Sequence, residues 1–127
     1  MLARVRAVIA LVDDDPRVLE AMANLLESEG YSVRLYASAE AALAAPCIGD
    51  VDCLIADIYM PGMDGFELQR RVGTVRPELP VILFTARYEA NSTIALAHNN
   101  RGIFQKPVES MRLLAALDSA LGAGPAA

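Results

Sequence analysis

One histidine, two cysteines and no tryptophan occur among the 127 residues. Cys47 and Cys53 have no histidine nearby, so they do not form a metal site, and Cys53 is expected to be a small buried hydrophobe. No basic stripe is present either. A net charge of −5 argues against a surface that holds nucleic acid by neutralising phosphates, so any DNA binding would need another domain. No run approaches the ~20 apolar residues of a membrane-spanning helix. Met1–Val12 has the arginines but not the length of a signal sequence, because its uninterrupted apolar part is only Ala7–Val12 and three aspartates follow. A cytoplasmic location with reduced cysteines is therefore expected.

What the chain does have is apolar content, 54% of its residues, in a length that fits one compact domain with a real core. Four short apolar runs end on chemically useful residues: Ala7–Val12 into Asp13 and Asp14, Cys53–Ala56 into Asp57, Val81–Phe84 into Thr85, and Ile103–Gln105 into Lys106. If these runs are parallel strands, the side chains meet at one rim of the sheet, where open α/β sheets bind ligands.

The runs alternate with stretches of helical period, as repeated strand–helix units do. A first helix is expected from Pro16, with Val18, Met22, Leu25 and Leu26 on one stripe and Gly30 as its stop. Tyr31–Tyr36 alternates like an edge strand, and Ser38 caps a short alanine-rich helix that ends before Pro46. Asp52–Ala56 is the next strand. It is followed by the turn Met60-Pro61-Gly62-Met63 and by a helix entered through Asp64, with Leu68, Val72 and Val75 on its stripe. Val81–Phe84 is apolar throughout, hence buried on both faces. Glu89–Ala97 is a weaker helix, Ile103–Gln105 a short strand, and the last helix carries Leu114, Leu117 and Leu121. Met22 and Met111 are assigned to core packing, Met60 and Met63 to a partly exposed turn. The expected fold is a doubly wound, flavodoxin-like parallel sheet of five strands in the order 2-1-3-4-5, flanked by five helices.

The rim has a definite chemistry. Carboxylates about 6 Å apart repel by roughly 3 kcal/mol per pair at an effective dielectric near 20, so Asp13, Asp14 and Asp57 call for positive charge. Lys106 supplies one, and Mg2+, an oxygen-seeking ion that is content with one or two carboxylates, several waters and phosphate oxygens, supplies the rest. Such parts suit phosphoryl transfer, with Asp57 as the nucleophile and Thr85 as a donor to the arriving group.

At these spacings Asp13-Asp14, the run Asp57 to Gly65, Thr85-Ala86 and Lys106-Pro107 together resemble the motif set of CheY-like receiver domains of two-component response regulators. The likeness runs from about Arg6 to Leu121, which gives a receiver domain at 1–121 and a tail or start of a linker at 122–127. The text around Tyr31–Ala41 and Pro80–Thr85 looks most like receivers joined to a LuxR-type helix-turn-helix output. The resemblance implies that Asp57 accepts a phosphoryl group from a sensor histidine kinase. It also implies that Asp14 ligates Mg2+ directly, Asp13 through water and Tyr59 through its main-chain carbonyl. Lys106, before a cis peptide to Pro107, pairs with the phosphoryl oxygen, and Thr85 is the switch hydroxyl. Implied partners are the kinase and a DNA-binding output domain C-terminal to this chain, with no direct nucleic acid or membrane contact; a phosphorylation-dependent homodimer is left open.

The sequence departs from the family at Ile103, where many receivers carry an aromatic switch residue, with Phe104 one place later on the opposite face. The loop Ala86–Asn91 and the large residues Tyr59 and Arg87 flank the expected phosphoryl site. His98, beside two asparagines, is expected to be a surface residue. Two rival readings are a receiver-like module that works by contact alone, and an aspartyl-phosphate phosphohydrolase. The second lacks its acid two residues after the nucleophile, where Tyr59 stands.

Overall fold

The structure, a computed structural model, describes residues 7–44, 49–85, 100–105 and 110–122, the stretch 100–105 by its backbone. Strand β1 (Val8–Val12) leads to helix α1 (Pro16–Ser28), β2 (Ser32–Tyr36), α2 (Ala39–Ala44), β3 (Cys53–Asp57), α3 (Gly65–Val75), β4 (Val81–Thr85), β5 (Asn100–Gln105) and α4 (Ser110–Gly122). The strands form one parallel sheet in the order β2-β1-β3-β4-β5. Four helices lie among the described residues; the expected helix at Glu89–Ala97 falls outside them, as do Cys47 and His98.

Side-chain alternation divides the core into two layers. On one face of the sheet Ala10, Val12, Leu54, Ala56, Val81 and Leu83 pack with α2 and α3 residues such as Ala42, Leu68 and Val72. On the other, Ile9, Leu11, Cys53, Ile55, Ile82 and Phe84 pack with Leu19, Leu26, Leu113 and Leu117 of α1 and α4. β1, β3 and β4 are covered on both sides, and therefore read as continuous apolar runs. Cys53 is buried as expected.

Local chemistry sets the helix starts. The Asp15 carboxylate accepts the Arg17 N–H at 2.9 Å and Pro16 opens α1, since a residue without an N–H loses nothing in the first turn. Asp64 does the same for α3, accepting the Glu67 N–H at 2.9 Å. α1 ends where Gly30 takes a φ of 93°, and the Tyr31 N–H bonds the Leu26 carbonyl at 3.1 Å.

Several expectations need correction. The buried stripe of α1 is Leu19, Met22, Ala23 and Leu26, with Val18 and Leu25 flanking it. In α4 it is Leu113, Leu117 and Ala120, so Leu114 and Leu121 sit at its edge. Val75 is 73% exposed at the end of α3, and Met111 is 71% exposed, because the helix faces turn away from the sheet at those positions. Met60, expected at a partly exposed turn, is buried in the α2–α3 layer. β5 begins at Asn100 rather than Ile103, and a register shift between Val81 and Leu83 absorbs an extra residue on its side.

On the solvent side of α3, Glu67 bonds both Arg70 and Arg71, the latter at 2.8 Å, one and the next position of a helical turn away. These two guanidinium groups pull the Glu67 carboxyl down to about 2. The folded value lies below the usual 4.5, so this pairing contributes fully above that pH and is lost as pH falls toward 2. Carbon-detected NMR titration should place the Glu67 midpoint near 2 in the intact chain and near 4.5 in an Arg70→Ala/Arg71→Ala variant; equal midpoints would refute the pairing.

Candidate functional site

The register of the central strands assembles the site. Val12 of β1 lies beside Ala56 of β3, so the next residues, Asp13 and Asp57, stand side by side at the carboxyl edge of the sheet. The strand order reverses between β1 and β3, because the chain steps outward from β1 to β2 and then returns past β1 to β3. Loops on either side of this switch point diverge and leave a crevice at the carboxyl edge.

Three carboxylates meet there. One oxygen each from Asp13, Asp14 and Asp57 lie within 4.8 Å of one another. Asp13 and Asp57 are buried, while Asp14 faces solvent. The Asp13 Oδ1 accepts the Asp15 N–H at 2.8 Å, and the Asp13 N–H donates to the Tyr36 carbonyl at 3.1 Å, extending the β1–β2 ladder by one residue. The Asp57 Oδ1 accepts the Tyr59 N–H at 3.3 Å, and the Ile58 N–H reaches the Phe84 carbonyl at 2.9 Å. Both acids are thus held by backbone that belongs to the sheet or to the first turn beyond it.

Phe84 pairs with Asp57 across β3 and β4, so Thr85 ends its strand one residue beyond that level and is buried. Tyr59, two residues past Asp57, is exposed. The structure therefore gathers Asp13, Asp14 and Asp57, places Thr85 on the adjoining strand end and Tyr59 at the rim. Lys106 and Pro107, together with Ala86–Asn91 and Arg87, lie outside the described residues. β5 is described as far as Gln105, the register partner of Thr85.

The donor set is all oxygen, two acids are sunk and one is open to water. At separations near 5 Å each pair repels by about 3 kcal/mol at an effective dielectric of 20, less where Asp14 is screened by solvent. Hard divalent cations that keep part of their water shell suit such a site, since two carboxylates supply the charge and an open side admits water and phosphate oxygens.

Two further residues support the site in ways that the sequence pattern does not specify. Gly65 opens α3, and a Cβ there would stand 2.4 Å from the Asp57 carbonyl oxygen and 2.8 Å from the Ile58 Cα. Its N–H bonds the Ile58 carbonyl at 2.7 Å, closing the base of the loop that follows the nucleophile candidate. A glycine at the first turn of a helix is a costly choice, and that cost was the available signal. Glu40, in an alanine-rich helix, carried no signal at all; its carboxylate accepts the Met63 N–H at 3.0 Å.

A doubly wound α/β domain that collects acids at its switch point defines a class of oxygen-ligand sites at strand ends. Residues 9–118 match the response regulator receiver domain, and the chain belongs to that family of two-component signalling proteins. It is 38% identical over 116 residues to the transcriptional regulatory protein GlrR of Escherichia coli (strain K12), covering 89% of this chain and 26% of that protein. It is 32% identical over 114 residues to the transcriptional regulatory protein FixJ of Bradyrhizobium diazoefficiens, covering 89% of this chain and 56% of that one. The crystal structure of response regulator protein TrrA from Thermotoga maritima in complex with Mg2+ and BeF superposes with a TM-score of 0.81 at 27% identity, covering 90% of this chain and 98% of that one. The chain spans about a quarter to a little over half the length of these two regulators.

Two substitutions test the geometry. Gly65→Ala should cost about 1–3 kcal/mol in urea unfolding, because the atoms met are backbone that cannot swing aside; a loss under about 0.5 kcal/mol would contradict the close approach. Asp14→Asn should raise the stability of the metal-free protein by about 1 kcal/mol by relieving repulsion. An unchanged or lower urea midpoint in the presence of chelator would count against the acids being crowded.

Proposed function

We propose that this chain is a phospho-accepting switch in which Asp57 takes a phosphoryl group from a sensor histidine kinase. The observation that carries the reading is the convergence of the Asp13, Asp14 and Asp57 oxygens within 4.8 Å at the switch point of the sheet. In this reading Asp14 and Asp57 bind Mg2+ directly, Asp13 through water, and Tyr59 through its main-chain carbonyl. The bound ion supplies charge neutralisation for the phosphoryl oxygens. The Mg2+ and BeF found with TrrA support the assignment by likeness of fold and family.

An Asp57 carboxylate oxygen attacks phosphorus in line as the bond from phosphorus to the kinase's imidazole nitrogen breaks; with the other ring nitrogen protonated beforehand, the products are neutral histidine and an aspartyl phosphate. Burial of Asp57 limits the water that competes with the incoming group. Lys106 pairs with a phosphoryl oxygen, the role that the family resemblance gives it. The Thr85 hydroxyl, at the end of the neighbouring strand, donates to another and so moves with the loop that follows it. The consequence is a shift between two packings of the surface that includes β5 and α4.

Ile103 and Phe104 are consecutive register partners of Leu83 and Phe84, and consecutive strand positions belong to opposite faces. In this reading Phe104 does not take the place of the family's usual aromatic switch, and coupling from Thr85 through Ile103 is smaller in amplitude. We assign the receiver to residues 1–121 and a tail or start of a linker to 122–127, with Gly122 as the last residue of α4. The partial coverage of GlrR and FixJ, both transcriptional regulators, supports an output domain in addition to the receiver; we place it C-terminal to this chain and the protein in the cytoplasm. Among the described residues no helix is long and apolar enough to cross a membrane. A phosphorylation-dependent homodimer is compatible with this arrangement.

Acetyl phosphate with Mg2+ should label the wild-type chain, and Asp57→Asn or chelation of the metal should reduce labelling to background. Persistent labelling of the Asp57→Asn variant would refute the assignment.

A further inference from the structure

The loop from Tyr59 to Asp64 carries a carbonyl that the reading above gives to the metal, yet the loop is neither strand nor helix. Its fastenings are few. Tyr59 bonds back to Asp57 at 3.3 Å, Met60 is buried in the core, and Gly65 closes the base onto Ile58 at 2.7 Å. The tip, Pro61-Gly62, turns with Gly62 at a φ of 79°, a left-handed conformation that favours glycine. Between Met60 and Asp64 the turn is tied to another element by the Met63 N–H, which donates to Glu40 Oε2 on α2 at 3.0 Å, across 23 residues of sequence. The same oxygen lies 2.6 Å from where a Gly62 Cβ would be, so the carboxylate occupies the space directly over the turn. The Met63 N–H is also the largest influence holding the Glu40 carboxyl below its ordinary value.

We propose that Glu40 is a positioning residue for the metal-binding loop: by clasping the turn at Gly62 and Met63 it holds the loop in the conformation that offers the Tyr59 carbonyl to the divalent cation. This rests on the metal site described under the proposed function. A ligand on an untethered loop binds only from the fraction of loop conformers that present it, and the apparent dissociation constant rises by the inverse of that fraction. Glu40 touches no ligand and no reacting atom. Its influence passes through the backbone of the turn, and the hydrogen bond requires reach rather than charge.

Three variants of the intact chain separate those possibilities: Glu40→Ala removes the acceptor, Glu40→Asp keeps the charge but shortens the arm by one methylene, and Glu40→Gln keeps the reach without the charge. In Mg2+ titration by calorimetry, Glu40→Ala and Glu40→Asp should weaken binding by about three- to tenfold, the worth of one net hydrogen bond, while Glu40→Gln stays within about twofold of wild type. Hydrogen exchange at the Met63 amide, measured without metal, should quicken in the same two variants and not in Glu40→Gln. Unchanged Mg2+ affinity in Glu40→Ala overturns the proposal. So does a pattern in which Glu40→Asp resembles wild type and Glu40→Gln resembles Glu40→Ala, because the effect is then one of charge. If wild type itself takes up no Mg2+ while Met63 exchange still depends on Glu40, the metal reading has failed and the clasp is a structural fastening only.

Discussion

The alignment of β1 with β3 is the constraint on which the rest turns. Pairing Val12 with Ala56 buries both strands on both faces, and the same pairing sets Asp13 and Asp57 at one level on the carboxyl edge of the sheet. Apolar burial rewards the strands, whereas the acids at their ends repel across less than 5 Å. The core cannot keep its register without holding the charges together. A site that is strained in this way when empty of cations is suited to bind one and to respond when a further charged group arrives.

Around that constraint the loops are fixed by backbone chemistry rather than by side-chain bulk. Asp13 accepts from Asp15, Asp15 caps α1, Asp57 accepts from Tyr59, and Asp64 caps α3. These four acids thus either bind the turn that follows their strand or begin the next helix. Gly65 lets α3 start against the backbone of Asp57, and Glu40 reaches from α2 to the turn between them. The loop carrying Tyr59 is short, closed at its base and clasped near its tip. Such fastening is what the proposed main-chain ligand would require, since a carbonyl has no side-chain rotamers with which to correct its aim.

Much of this was legible. Continuous apolar runs in β1, β3 and β4 announced strands covered on both faces, and Asp15, Asp64 and Gly30 marked helix ends through chemistry that acts within four residues. The errors fall where two faces compete. Val18 and Leu25 were set on the α1 stripe at the expense of Leu19 and Ala23, because period alone does not say how the helix is rotated against its sheet. Val75 and Met111 looked like core and are exposed, at places where the helix face leaves the layer. Met60 looked like turn and is buried, because the chain dips back into the α2–α3 layer before Pro61.

By itself the sequence determined the five strands and the four helices of the described residues to within a few positions, since apolar period, capping acids and turn residues act over short distances. It also determined that Asp13, Asp14, Asp57 and Thr85 would lie at strand ends, because each directly follows or closes an apolar run. Only the tertiary structure decided that three of those acids share a space of 4.8 Å, that a side chain at position 65 would strike the Asp57 backbone, and that Glu40 grips a turn 23 residues further along. Those facts depend on how strands are ordered and how far apart two loops come to rest. Contacts between residues distant in the chain are set by packing of the whole core, which no short window of sequence contains.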